Sequence, residues 1–295
     1  MNEHTPLIIT CGITWDNHVK STNPGIPLTA AEQAQDALDV YNAGASIVHI
    51  HRRSAADFTV TSIDPQEYAE TNAAIRALCP DIIINNTSGG SKRRLEDGTI
   101  SAPIIASVYA NPEIASLDAA NLVPGSDHPS PYLPSGQDNP LRLTPAESAQ
   151  VVATMNQHGC KPEFMCYGLN DFMHFTHMAN AGLLGFKGPH WVQLVCTAHT
   201  TQAKVQDLCE ALSHLPPHCI PGVISGGSTH WGVLATAILL GAHVRVGMED
   251  HMHLSPQQMA TRNAHLVEKI VRIAHDIGRP IATCAQAREM LGIEQ

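Results

Sequence analysis

Ser46-Ile47-Val48-His49-Ile50-His51-Arg52-Arg53 is the stretch from which the fold is read. The run is apolar and β-branched, which marks a buried strand, and successive side chains of a strand point to opposite faces. Ile47, His49 and His51 therefore share one face, and Val48 and Ile50 take the other. A greasy strand that ends in two same-face imidazoles presents a pair of metal ligands, because neutral histidine is the commonest nitrogen ligand of zinc. Two buried histidines, each hydrogen-bonded inside the core, are the alternative.

Outward from this strand, short apolar runs alternate with helix-start signatures. Residues 7–10 form the expected first strand, followed by a loop over 12–28 that contains Trp15, Asp16 and Asn17. Thr29-x-x-Glu32 is a capping box that opens a helix ending near Gly44, directly before the histidine strand. Asp64-Pro65-x-Glu67 and Thr144-Pro145-x-Glu147 place an N-cap, a first-turn proline and a carboxylate in one turn. Ser255-Pro256-x-Gln258 has the same form and predicts the start of the last long helix. Further strands are expected at 82–86, 114–117, 162–167, 191–196, 220–225 and 243–246, and the Pro- and Gly-rich segment 122–143 is a long loop of the functional kind. Eight strands, each followed by a helix, predict one (β/α)8 barrel domain over residues 1–295. A doubly wound open sheet competes, but no Gly-rich dinucleotide fingerprint follows the first strand.

Composition narrows the function. Hydrophobic residues make up 43% and charged residues 15%, which excludes a disordered chain. A net charge of -10 and 4% aromatics argue against a nucleic-acid partner, since neither a basic surface nor stacking platforms are present. Membrane spans and a basic leader are not evident, so the cytoplasm is the expected compartment. The eight cysteines show no C-x-x-C pair and read as buried thiols.

In a barrel the strand C-termini and the loops after them build the active site. His49 and His51 end the second strand; Thr87-Ser88-Gly89-Gly90 follows the third; Ser116 and Asp118 lie at the fourth; Arg245, Glu249 and Asp250 follow the eighth. Hydroxyls beside two glycines suit close approach of a ligand and donation to a developing oxyanion. Arg245 and Asp250 could be a structural ion pair, but with Glu249 between them they also supply a ligand, a base and its orienter.

Several motifs together carry a resemblance. They are Ile8-Ile9-Thr10-Cys11-Gly12, Ala43-Gly44-Ala45-x-Ile47-Val48-His49-x-His51-x-Arg53, the hydroxyl-Gly-Gly turn, Gly241-Ala242-His243-Val244-Arg245-Val246-Gly247-Met248-Glu249-Asp250, and Arg279-Pro280-Ile281-Ala282-Thr283. Over nearly the whole chain the sequence resembles the β-keto acid cleavage enzymes, whose founding activity is 3-keto-5-aminohexanoate cleavage. The resemblance implies a zinc-dependent barrel, commonly a homotetramer, that condenses a β-keto acid with acetyl-CoA and releases acetoacetate and a new acyl-CoA. It implies that His49, His51 and Glu249 hold zinc, that Asp250 is the base at the substrate's C2, and that Arg245 orients it; from the residues alone, His251 and His253, a second H-x-H in the same loop, are rivals to Glu249. Thr87 stands where the family has a serine, Ser88 where it has a threonine, and Ser116 where a threonine is common; with Gly89 and Gly90 they would meet substrate. The family's first-loop Gly-x-Glu is replaced by Trp15-Asp16-Asn17, its asparagine near Asp118 is absent, and its glycine-rich turn after strand six reads Cys196-Thr197-Ala198-His199-Thr200-Thr201.

Asp16 and Asn17, with Trp15, Met165, Tyr167 and the loop 122–143, are expected to line the pocket for the substrate's far end. Lys92-Arg93-Arg94 is either a solvated helix face or a contact for CoA phosphates. Two other functions fit the same residues: a zinc hydrolase using metal-bound hydroxide, and a non-catalytic metal or small-molecule binding barrel.

Overall fold

The structure is a computed structural model that describes residues 5–16, 18–88, 103–119, 145–197 and 204–293. Eight parallel strands, β1 (Ile9–Gly12), β2 (Ile47–Ile50), β3 (Ile83–Asn86), β4 (Ile114–Asp118), β5 (Lys161–Cys166), β6 (His190–Cys196), β7 (Cys219–Ser225) and β8 (His243–Val246), close into a barrel in chain order. Thr10 of β1 pairs with Arg245 of β8 and with Ile47 of β2, which completes the circle. The outer ring comprises α1 (Ala30–Ala43), α2 (Pro65–Leu78), α3 (Pro103–Tyr109), α4 (Pro145–Gln157), α5 (Leu169–Asn180), α6 (Val205–Ser213), α7 (His230–Leu239) and α8 (Asn263–Ile277). A ninth helix, α9 (Cys284–Leu291), follows. The expected (β/α)8 barrel is the fold. Among the described residues, no helix is long and apolar enough to cross a membrane.

Strand alternation sorts the core into two compartments. Val48, Ile50, Ile84, Leu117, Phe164, Val192 and Val244 point outward and pack with Val40, Ile75, Leu266 and Ile270 of the helices. Each such buried side chain contributes roughly 1.5–3 kcal/mol by leaving water. Ile8, Ile47, Ile83, Ile114 and Trp191 point inward at the start of the strands and pack against Ala287 and Leu291, so α9 plugs the N-terminal end. The C-terminal end is left for chemistry.

Helix starts follow the local signals where those signals are unambiguous. Thr29 caps α1 with both arms of the capping box formed, and Asp64 caps α2 by accepting from Gln66 N–H with Pro65 in the first turn. Three expectations are corrected. The first strand begins at Ile9 rather than Leu7, because Leu7 is held by the C-terminal segment: its N–H donates to Pro280 O and its carbonyl accepts from Ala282 N–H. Ser255-Pro256 does not start a helix; β9 (His253–Ser255) and β10 (Gln258–Met259) pair antiparallel, with Pro256 in the turn between them, a position its fixed φ suits equally well. The last long helix starts at Asn263, with Arg262 as N-cap. Arg245, third, lies within β8 and not after it. All eight cysteines are free thiols; Cys209 is exposed and the other seven are buried.

Candidate active site

The strand pattern puts His49 and His51 on the inner side of β2, at its C-terminal end, and pairs Gly12 of β1 with His49. The turn after β8 then folds over the end of β1. Glu249 N–H donates to Gly12 O at 3.1 Å, and Asp250 and His251 N–H both donate to Gly247 O. Two glycines make this closure possible. Gly247 has φ +137°, and a Cβ there would sit 2.0 Å from Gly12 O; a Cβ on Gly12 would sit 2.7 Å from Glu249 Oε2 and 3.0 Å from Arg245 Nε. Behind the turn, Asn263 accepts from Met248 N–H at 2.7 Å and donates to Ile13 O and to Asp36 Oδ2 at 2.9 and 2.6 Å, fixing Glu249's backbone from below.

Three ligand-type side chains thereby converge. His49 Nε2 lies 3.7 Å and His51 Nε2 3.3 Å from Glu249 Oε1. Among the described residues, His49, His51 and Glu249 are the one group of three such side chains whose ligand atoms all lie within 4.8 Å of one another. Two imidazoles and a carboxylate are a donor set that zinc accepts with a further position left open. Glu249 Oε2 is buried without a hydrogen-bond partner, so an acceptor site in this cluster is unmet by protein. His251, a rival ligand by sequence, instead stacks on His230 with ring centroids 4.3 Å apart, and His253 lies on β9.

Arg245 organises the anions. Its Nε and Nη2 donate to Asp250 Oδ2 and Oδ1 at 2.9 and 3.1 Å, a two-point grip, and Nη2 also meets Glu249 Oε1. Burial would raise Glu249, but Arg245 and then the two histidines hold it well below the usual carboxylate range. Asp250 goes the other way. Burial, opposed by Arg245 and reinforced by the Glu249 anion, pushes it up to about 7. Burial, only partly offset by Glu249, pushes His49 down to about 3 and keeps it neutral, as a ligand must be. For His51, burial is outweighed by Asp16 and Glu249, which push it up to about 9.

Under this cluster lies a polar layer that the sequence reading missed. Glu163 of β5, fully buried, accepts from Trp191 Nε1 and Asn85 Nδ2 at 2.8 Å each and from Gln193 Nε2 at 2.9 Å. A carboxylate at an inward position in the middle of a strand is the signal that could have found it. Gly12 and Arg53 stand in the motifs quoted above but were given no role there, and Thr61 and Asn263, which carry no local signal, were not singled out.

Thr87 and Ser88 are buried at the end of β3, as expected. Ser88 N–H donates to Ser116 Oγ at 3.0 Å, and Ser88 Oγ–H donates to Ser116 O, so Ser88 and Ser116 brace β3 against β4. Asp118 accepts from Tyr167 O–H at 3.0 Å. Asp16 lies beside His51, with Oδ1 2.6 Å from Nδ1. Asn17, Gly89, Gly90, Lys92, Arg93, Arg94, the loop 122–143 and residues 198–201 lie outside the described residues.

Comparison with known proteins bears on the family and the fold. The family model described as beta-keto acid cleavage enzyme matches residues 6–293. The 3-keto-5-aminohexanoate cleavage enzyme of Acetoanaerobium sticklandii is 31% identical over 290 residues, covering 98% of this chain and 99% of that protein. The 3,5-dioxohexanoate:acetyl-CoA acetone transferase of Paraburkholderia graminis is 27% identical over 307 residues, covering 98% and 96%. Among solved structures, the apo form of ObcA superposes with a TM-score of 0.72 at 17% identity, over 92% of this chain and 66% of that one, a likeness of fold. With a family model spanning almost its full length, this chain belongs to the beta-keto acid cleavage enzyme family.

Proposed function

We propose that this protein exchanges acyl groups between a β-keto acid and acetyl-CoA, forming acetoacetate and a new acyl-CoA, with zinc held by His49, His51 and Glu249. The observation that carries the reading is the Arg245–Asp250 pair set directly beside the two histidines and Glu249. An ion pair serving stability alone has no need to stand, with its arginine buried, next to three ligand-type groups.

Bound zinc would supply Lewis acidity toward the substrate's keto group. Asp250 removes a proton from C2 of the β-keto acid, and a carboxylate raised to about 7 is matched to that transfer at neutral pH. Arg245 fixes both Asp250 oxygens, which aims the carboxylate and steadies it as its charge changes. The C2 carbanion attacks the thioester carbon of acetyl-CoA, and a C–C bond forms as CoA thiolate leaves. The thiolate then attacks the original keto carbon and the old C2–C3 bond breaks. Asp250 returns the proton to C2, so acetoacetate and R–CO–SCoA carry all the atoms of the two substrates. Thr87, buried at the rim of β3, supplies a hydroxyl toward the developing oxyanion.

The test incubates zinc-loaded protein with a panel of β-keto acids, with and without acetyl-CoA, and follows acetoacetate by mass spectrometry. Product only when both are present is expected. Product from one substrate and water would make it a hydrolase, and no product with metal bound a binding protein. In parallel, Glu249→Gln should lose zinc while His251→Ala and His253→Ala keep it; the reverse pattern removes Glu249 from the site. Because Asp16 Oδ1 is occupied by His51 and Thr61, the substrate's far end is expected to lack an ammonium, which would need an anionic partner. If 3-keto-5-aminohexanoate is the best substrate of the panel and Asp16→Asn leaves it so, that part of the reading fails.

A further inference from the structure

We propose that Asp16 is the positioning residue of the metal site: it fixes the tautomer and orientation of His51, so that Nε2 carries the lone pair that faces Glu249 and His49. The inference rests on the metal reading of His49, His51 and Glu249. Its geometry is independent of that reading.

Asp16 Oδ1 lies 2.6 Å from His51 Nδ1 and also accepts from Thr61 Oγ–H. A carboxylate can only accept, so Nδ1 keeps its proton toward Asp16, and Nε2, whose proton a metal would displace, is the atom left for a ligand. The carboxylate is itself held. Arg53, two residues beyond His51 and fully buried, donates to the carbonyls of Asp16, Trp15, His18 and Phe58. One guanidinium thus pins the loop after β1 to the chain that carries His51, and Thr61, whose neighbour Ser62 donates its N–H to Arg52 O, closes the other side. Hydrogen bonds from Arg53 and Thr61 thus join the carboxylate and the imidazole it faces. His49 has no such anion: the side chain beside its ring is the neutral amide of Asn85, and its Nδ1 meets no carboxylate. The two imidazoles are therefore unequal, and His51 is the one whose ligand strength is tuned by a neighbouring anion. Groups in this role typically change metal affinity about 10- to 100-fold when removed.

The contact also withdraws Asp16 from the substrate pocket. Its Oδ1 has two donors, and turning it toward a substrate would strand a buried imidazole N–H.

The experiment measures zinc affinity by competition with a chromogenic chelator for the wild type, Asp16→Ala, Asp16→Asn and Thr61→Val, and records the visible absorption of the cobalt-substituted proteins. Asp16→Ala is expected to weaken zinc about 10- to 100-fold and shift the cobalt bands. Asp16→Asn, which keeps the acceptor but not the charge, should recover part of the loss, and Thr61→Val, which touches Asp16 and not His51, should lose less than Asp16→Ala. Melting of the metal-free proteins separates this from a structural role, because the metal-free Asp16→Asn should melt like the metal-free wild type. Zinc affinity of Asp16→Ala within about threefold of wild type, with unchanged cobalt bands, overturns the inference while leaving the metal site intact. If Asp16→Ala does not fold, Asp16→Asn decides: a weaker site with displaced cobalt bands supports the role, and wild-type behaviour in both overturns it. A wild type that binds neither metal overturns the metal reading itself.

Discussion

Replacing Asp36 by Asn should stabilise the protein at pH 8 and do so much less at pH 5. Asp36 of α1 is buried, and Asn263 Nδ2 donates to its Oδ2 at 2.6 Å. Burial, opposed by that hydrogen bond and reinforced by Asp39, raises the carboxyl from 3.8 to about 7. The folded state then binds a proton more tightly than the unfolded state. Its contribution to stability is fully present below the unfolded value and is lost as pH rises through about 7. A rise of that size corresponds to roughly 4 kcal/mol between those limits. At pH 5, which lies between the two values, roughly 1.5–2 kcal/mol of this is already lost, which leaves roughly 2–3 kcal/mol to be lost between pH 5 and pH 8. The Asp36→Asn variant is therefore expected to gain on the wild type by roughly 2–3 kcal/mol between pH 5 and pH 8, or about 3–5 °C in Tm for a chain of this length. The new amide still offers a carbonyl oxygen to Asn263, so the support under Met248 and Glu249 should persist and zinc content should not change. Thermal melts of both proteins at pH 5 and pH 8, followed by circular dichroism, give the difference of differences. Parallel pH dependences in the two proteins would refute the reasoning.

Two other substitutions test the site from opposite sides. Gly12→Ala places a methyl group 2.7 Å from Glu249 Oε2 and 3.0 Å from Arg245 Nε, so zinc affinity should fall by about tenfold or more while the circular dichroism of the barrel is retained; stoichiometric, equally tight zinc would show that Glu249 is free to move. Asp250→Asn keeps the size of the side chain and removes the base, so kcat should drop by roughly 100- to 10,000-fold with metal content unchanged. A kcat within tenfold of wild type would assign proton removal to another group.

What could be read in the sequence is what is written locally. The period-two alternation of Ile47, Val48, His49, Ile50 and His51 carried the metal pair, and the Thr29 and Asp64 caps carried helix starts, because each signal lies within one strand or one turn. The same locality misleads at Ser255-Pro256, where one dipeptide suits a helix start and a hairpin turn equally. Residues whose role depends on distant partners escaped notice. Glu163 meets Asn85 across 78 positions, and Asn263 meets Asp36 across 227. Asp16 was legible as a polar residue in an active-site loop, but its turn toward His51 depends on Arg53 gripping the loop's carbonyls, and no spacing in the sequence announces that grip.

The apolar floor of the barrel has a bearing on the chemistry above it. Counting inward positions up the strands, Ile47 precedes His49, Ile83 precedes Asn85, Ile114 precedes Ser116, Trp191 precedes Gln193 and His243 precedes Arg245, each two residues apart. The lower residues Ile47, Ile83, Ile114 and Trp191 pack together against α9. A strand that slipped by one residue would turn its floor residue outward and, with it, the polar residue above. For β2, a slip would move Ile47 out of the floor and carry both His49 and His51 to the helix-facing side, where burying two imidazoles without partners costs roughly 1–3 kcal/mol each. Loss of the Ile47 contact would add about 1.5–3 kcal/mol. The packing of four hydrophobic side chains at one end of the barrel thus fixes, through strand register, which residues face one another at the other end. The geometry of the candidate site is set from below, and substitutions in the floor are expected to disturb the His49, His51 and Glu249 cluster without touching it.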